Sequence, residues 1–185
     1  MLLTQIGLAL PAWIHHEIDV SAHYPDDETR VALAIMLARR NVELRTGGPF
    51  GAAVFDGEGR LIAVGVNRVV PQNCSAAHAE MMAFMSAQAS QRRYRLNENG
   101  TRYILATSAQ PCSMCYGASI WAGIDELLIG ARAEDVMQLS EFDEGPLPTD
   151  WVGELEKRGI RVTLDLMRDH ARDVLRDYGQ SGVVY

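Results

Sequence analysis

The chain has 185 residues, enough for one ordinary globular domain and awkward for two. Its 48% hydrophobic content supports a core that needs neither disulfides nor metal to hold it together. With 24 acidic against 17 basic residues, a net charge of −7 and Lys157 as the single lysine, it lacks the basic stripe on which nucleic-acid binding depends. The balance points to a small-molecule substrate.

In chain order, the apolar stretch 2–14 comes first. It has no Lys or Arg ahead of it, contains Pro11 and shows no small-residue cleavage site, so it does not read as a secretory leader. It also falls short of the roughly 20 apolar residues that a membrane span needs. Residues 1–24 are expected to form an arm packed on the domain, with no membrane association. Three cysteines without a secretory leader argue for a reducing, cytoplasmic setting with free thiols.

A helix is predicted from Pro25, with Asp26, Asp27 and Glu28 at the positive end of its dipole, ending before Gly47-Gly48-Pro49. Residues 50–55 and 61–70 flank Asp56-Gly57-Glu58-Gly59 and read as a hairpin. Residues 75–89, rich in Ala and Met, predict a helix with Ser75 as its cap. A strand follows at 102–107, then a helix from Pro111 to about Trp121 and a strand at 125–130. Gly145, Pro146 and Pro148 make 141–151 a loop. A last strand at 159–164 and a last helix at 165–178 complete the pattern. Strand and helix alternate after residue 75, which predicts parallel pairing there. The expected fold is a single three-layer α/β/α domain over residues 1–185, with a central mixed sheet of five strands.

Two segments carry chemistry: His78-Ala79-Glu80 and Pro111-Cys112-Ser113-Met114-Cys115. Zinc prefers nitrogen and sulfur ligands, and a catalytic zinc keeps three protein ligands and one position for water. Cys112 and Cys115 are three apart, so both thiols leave one side of a helical first turn, where N–H groups and the dipole favour thiolate. His78 is the natural third ligand. Zinc lowers the pKa of a bound water to about 7, and Glu80 is placed to carry protons between that water and a ring being attacked. Residues two apart on a regular helix diverge by roughly 200°, so His78 and Glu80 can share a site only near the helix entry. Two other readings stay open from the residues alone. One is a redox Cys-x-x-C pair, which belongs after an early strand with no His-Ala-Glu upstream. The other is a closed structural zinc site with Cys74 as fourth ligand; otherwise Cys74 is a packed thiol.

The paired motif is the H-x-E…P-C-x-x-C signature of the zinc deaminases, and here the chain resembles the cytidine deaminase superfamily. The likeness extends through Gly48-Pro49-Phe50-Gly51-Ala52-Ala53-Val54, Gly65-Val66-Asn67-Arg68-Val69 and residues 112–121. Within the superfamily it looks closest to the small bacterial guanine deaminases, through Phe142-Asp143-Glu144-Gly145-Pro146 and the ending Gly182-Val183-Val184-Tyr185. The resemblance covers about residues 25–185. It implies guanine plus water giving xanthine plus ammonia, with one zinc per subunit held by His78, Cys112 and Cys115. It further implies Glu80 as proton shuttle, Glu144 as a second acid on the amine side, Asn67 bonding the ring and Phe50 stacking on it. A homodimer that exchanges its C-terminal tails is implied too, with residues 179–185, ending at Tyr185, as a lid that excludes water.

One departure stands out: that family has Glu before Pro-Cys, and this chain has Gln110. The neighbouring readings are a deaminase of cytosine, of an ammeline-type triazine or of a nucleoside, and a tRNA adenosine deaminase, which the negative charge disfavours.

Overall fold

The computed structural model describes residues 2–140 and 142–181. The sheet has five strands, β1 (Gly51–Asp56), β2 (Leu61–Val66), β3 (Tyr103–Ala109), β4 (Glu126–Ala131) and β5 (Arg161–Thr163), in the order β2-β1-β3-β4-β5. β1 lies antiparallel to β2 and to β3, whereas β3, β4 and β5 run parallel. This is the mixed sheet expected, with its antiparallel edge supplied by the hairpin.

Alternation along the strands divides the core in two. Ala53, Phe55, Ile104, Ala106 and Leu128 face one cluster; Ala52, Val54, Tyr103, Leu105, Leu127 and Ile129 face the other. The first face is covered by α2 (Asp27–Glu43) and α7 (Arg168–Gln180), the second by α3 (Ala79–Gln91) and α4 (Ser113–Ala122). The three layers follow from these two apolar faces. Asp26 caps α2 by accepting from the Thr29 N–H at 2.8 Å. Along the N-terminal arm, Leu10, Trp13, Ile14 and Ile18 pack on the α2 face, and a short α1 (Ile14–Glu17) ties in through Glu17 to Arg40 at 2.6 Å.

Several boundaries differ from expectation. β2 ends at Val66, so Asn67 is the first residue beyond it. α3 begins at Ala79, not at 75, because a turn closed by the Ala77 N–H on the Cys74 carbonyl precedes it. α4 begins at Ser113 with Cys112 as its cap residue, which leaves Pro111 outside the helix. α5 (Ala133–Ser140) and α6 (Trp151–Glu156) are not among the expected elements, although Asp150 caps α6 by accepting from the Gly153 N–H at 3.1 Å. Helices this short are marginal alone, and tertiary contacts supply what propensity does not. For α5 that contact is Asp135, held by Arg168 and Arg172 of α7. Among the described residues no helix is long and apolar enough to cross a membrane.

Candidate metal centre and active site

The site lies where α3 and α4 begin, on the sheet face that these two helices cover. α3 is pressed against β2 at Gly65, where a Cβ would meet the Ala79 carbonyl at 2.0 Å; only glycine admits that approach. His78 caps α3 with an extended backbone, ψ 159°, while Glu80 is already helical. That break resolves the divergence of residues two apart: His78 is outside the helical phase, so its ring and the Glu80 carboxylate reach one cavity.

His78, Cys112 and Cys115 form the described residues' one group of ligand type, with ligand atoms all within 4.8 Å of one another. The His78 Nδ1 sits 3.5 Å from the Cys112 sulfur. A tetrahedral ion with bonds of about 2.0–2.3 Å holds neighbouring N and S ligands about 3.5 Å apart, so the donor set fits a metal such as zinc in kind, number and spacing. Cys74 is not in the group; its thiol is half-buried and its N–H bonds the Val69 carbonyl.

The protein groups already favour one thiolate. The Cys112 thiol is lowered to about 4, chiefly by the bond from the Cys115 thiol and then by His78 and the Cys115 N–H, against its burial. Cys115 is pushed up by the same bond and by burial. His78 is raised, first by its bond to Cys112. Glu80 is only 6% exposed, and burial, followed by the nearby Cys112 charge, pushes its carboxyl up to about 7. Glu144 is pushed up to about 8 by burial and then by the charge on Glu80.

A cavity of about 130 Å³ opens beside the cluster, lined by Phe50, His78, Glu80, Gln110, Phe142, Asp143 and Glu144. It is smaller than the pockets of roughly 300 Å³ and upward that take drug-sized ligands. Glu144 arrives on the loop expected at 141–151, whose backbone is pinned to the start of α4 by the Ser113 N–H donating to the Glu144 carbonyl at 3.0 Å. Phe142 on the same loop meets Phe50 at 5.4 Å between ring centroids and Tyr178 of α7 at 5.8 Å. The Gln110 Oε1 accepts the Ala133 N–H at 3.2 Å.

Five expected site residues therefore converge: His78, Cys112 and Cys115 in the cluster, with Glu80 and Glu144 beside it; Phe50 lines the same cavity. Asn67 does not line it. It is 1% exposed and is tied to Phe50, its N–H donating to the Phe50 carbonyl at 3.1 Å. Tyr185 and the end of the tail lie outside the described residues. Phe142 and Asp143 were legible only as members of a loop segment, and Gln110 only as a departure from a pattern.

A profile of the cytidine and deoxycytidylate deaminase zinc-binding region matches residues 25–131. The chain belongs to that family. Guanine deaminase of Bacillus subtilis is 37% identical over 117 residues, covering 63% of this chain and 71% of its own length. A tRNA-specific adenosine deaminase of Buchnera aphidicola is 33% identical over 130 residues, covering 70% and 79%. A solved structure of guanine deaminase from Nitrosomonas europaea superposes with a TM-score of 0.91 at 42% identity, covering 97% of this chain and 99% of that one. That relative has also been crystallised with 8-azaguanine and with 2,6-diaminopurine. The cytidine deaminase-like fold and a hydrolytic deaminase activity are thus this chain's own.

Proposed function

We propose that this deaminase converts guanine and water to xanthine and ammonia, using one zinc per subunit held by His78, Cys112 and Cys115. The observation that carries the reading is a pair of carboxylates, Glu80 and Glu144, lining one small cavity with two aromatic rings next to the ligand cluster. Near full-length likeness to a guanine deaminase that binds purine analogues supports the choice of base.

Held by His78, Cys112 and Cys115, zinc would supply an acidified water as the nucleophile. Glu80, whose carboxyl is raised by burial, would take the proton released at attack and deliver it to the ring nitrogen beside the reacting carbon. Glu144, raised to about 8 by burial, would donate its proton to the departing amine as the C–N bond breaks and regain one from the added hydroxyl as that oxygen becomes the new carbonyl. Two neighbouring carboxyls with separate proton occupancies divide the acid and base work between them. Phe50 and Phe142 give the cavity apolar walls that a flat ring would contact and that keep bulk water away. Asn67, buried beside Phe50, is the group assigned to ring recognition by hydrogen bonding.

Ammonia release measured across guanine, guanosine, cytosine, adenine, ammeline and an adenosine-containing RNA hairpin tests the substrate. Guanine should exceed every other compound by at least about tenfold in kcat/KM, with guanosine excluded by cavity size. Faster turnover of another base, or of the hairpin alone, overturns the assignment. Purified protein should hold about one zinc per chain, and Cys112→Ser should lose it.

A further inference from the structure

A hydrogen-bonded relay runs from the N-terminal arm to the two segments that carry Phe50 and Asn67. At its centre is Asn41, on the last turn of α2 and fully buried. Its Nδ2 donates to the Gly48 carbonyl at 2.8 Å and to the Asn67 carbonyl at 2.9 Å. Its Oδ1 accepts from the Thr46 hydroxyl at 2.7 Å, and that oxygen in turn accepts the Trp13 indole N–H at 3.0 Å. Arg68, next to Asn67, closes the outer side by bonding the Thr46 carbonyl and, at 3.2 Å, the Ala9 carbonyl.

The two tied segments are themselves in register. Asn67 donates its N–H to Phe50, and its Oδ1 accepts from the Gly48 N–H at 3.4 Å and the Val69 N–H at 3.3 Å. At Gly47 the approach is so close that a Cβ would lie 1.8 Å from the Asn67 carbonyl oxygen and 2.7 Å from the Asn41 Nδ2. A carboxamide supplies two donors and an acceptor at one point; a carboxylate has no donor and a hydroxyl has only one. At this depth each backbone carbonyl without a partner would carry a desolvation penalty, so the residue type at 41 is tightly specified.

We propose that Asn41 is a positioning residue for base recognition: it sets the spacing between Phe50 and Asn67, and Trp13 acting through Thr46 locks its rotamer. The N-terminal arm thereby takes part in substrate binding without touching substrate. This rests on the reading of Asn67 as a group that bonds the base.

The test uses the full-length, zinc-loaded enzyme with guanine. Asn41→Ala and Asn41→Asp should raise KM by about tenfold or more, with kcat within about threefold and zinc content unchanged. Thr46→Val should raise KM by about threefold, and Thr46→Ser, which keeps the hydroxyl, should restore it. In an Asn67→Ala background the Asn41 changes should add less than about twofold, because the group they position is gone. A raised KM for Asn67→Ala, combined with Asn41 effects that multiply fully onto it, overturns the positioning role while leaving Asn67 as a binding group. An unchanged KM for Asn67→Ala refutes Asn67 as a binding group and takes the inference with it. Should the Asn41 variants not accumulate as folded protein, the Thr46 pair decides: equal KM values for Val and Ser at 46 overturn the relay.

Discussion

Two pairs of buried or half-buried carboxylates sit in this molecule under opposite conditions. Asp135 and Glu126 are each 1% exposed, and each faces two arginines: Arg168 and Arg172 for Asp135, Arg102 and Arg161 for Glu126. Glu80 and Glu144 have no arginine among the groups that shift them; burial dominates, and their carboxyls rise to about 7 and about 8. Asp135 ties α5 to α7, and Glu126 holds β4 to the side chains at 102 and 161. Buried charge is stabilised where cations meet it and left titratable where they do not. The first arrangement ties elements together; the second leaves both carboxyls raised above their ordinary range.

The comparison is broken most severely at Glu80. Glu80→Gln should retain metal, measured by elemental analysis, while kcat falls by about 10²–10⁴, the range of a lost general acid–base group. Retained turnover would remove Glu80 from proton transfer. The next effect is on stability. Asp135→Ala strips the partner from two arginines that are about a quarter exposed and from the Arg132 N–H. It should cost about 3 kcal/mol in denaturant unfolding, the low end for a broken buried pair, with KM for guanine unchanged. Glu126→Ala should cost less, about 1–2 kcal/mol, because Arg102 and Arg161 are more than half exposed and rehydrate. Equal losses would show that arginine exposure does not govern the difference.

Glu144→Gln should slow guanine turnover by about 10–10²-fold without metal loss and remove the alkaline limb of the rate profile near pH 8. The same residue predicts a stability effect in metal-stripped protein. Its folded pKa lies above its ordinary 4.5, so the folded state binds the extra proton. The associated stability is full below about pH 4.5 and is lost as pH rises through about 8, and Glu144→Gln should flatten that decline in a series of melting curves. The smallest effect is expected at Gln110. Its Oε1 is engaged by the Ala133 N–H, a bond that a glutamate would preserve. Gln110→Glu would still add a charge beside Glu80, Asp143 and Glu144, and should change kcat/KM by only a few-fold while moving the Glu144 limb upward in pH.

Much of the site was legible in one dimension because its chemistry is local. Cys112 and Cys115 are placed by a single helical turn, and His78 and Glu80 by a single helix entry, so spacing alone nominated them. The sheet's strands and their change from hairpin to parallel pairing were legible as well, since β1 to β4 are largely apolar runs and the Asp56-Gly57-Glu58-Gly59 turn marks the hairpin. The helix starts were less legible. Ser75 has the chemistry of a cap, yet α3 begins four residues later, where His78 must turn its ring towards Cys112. Phe142 and Asp143 could not be assigned roles, because a loop between two prolines and a short helix has no period to read.

The sequence by itself determined the three-layer fold and nominated the ligand cluster and Glu80 beside it, all of which follow from side-chain type and short-range periodicity. Only the tertiary structure decided that Glu144 stands beside Glu80, that Gln110 and Phe142 close the cavity, and that Asn41 links the arm to Asn67. Those facts depend on segments as far apart in the chain as Phe50 and Glu144 meeting at one point, which is set by packing of the sheet's two faces and by which buried polar groups find partners.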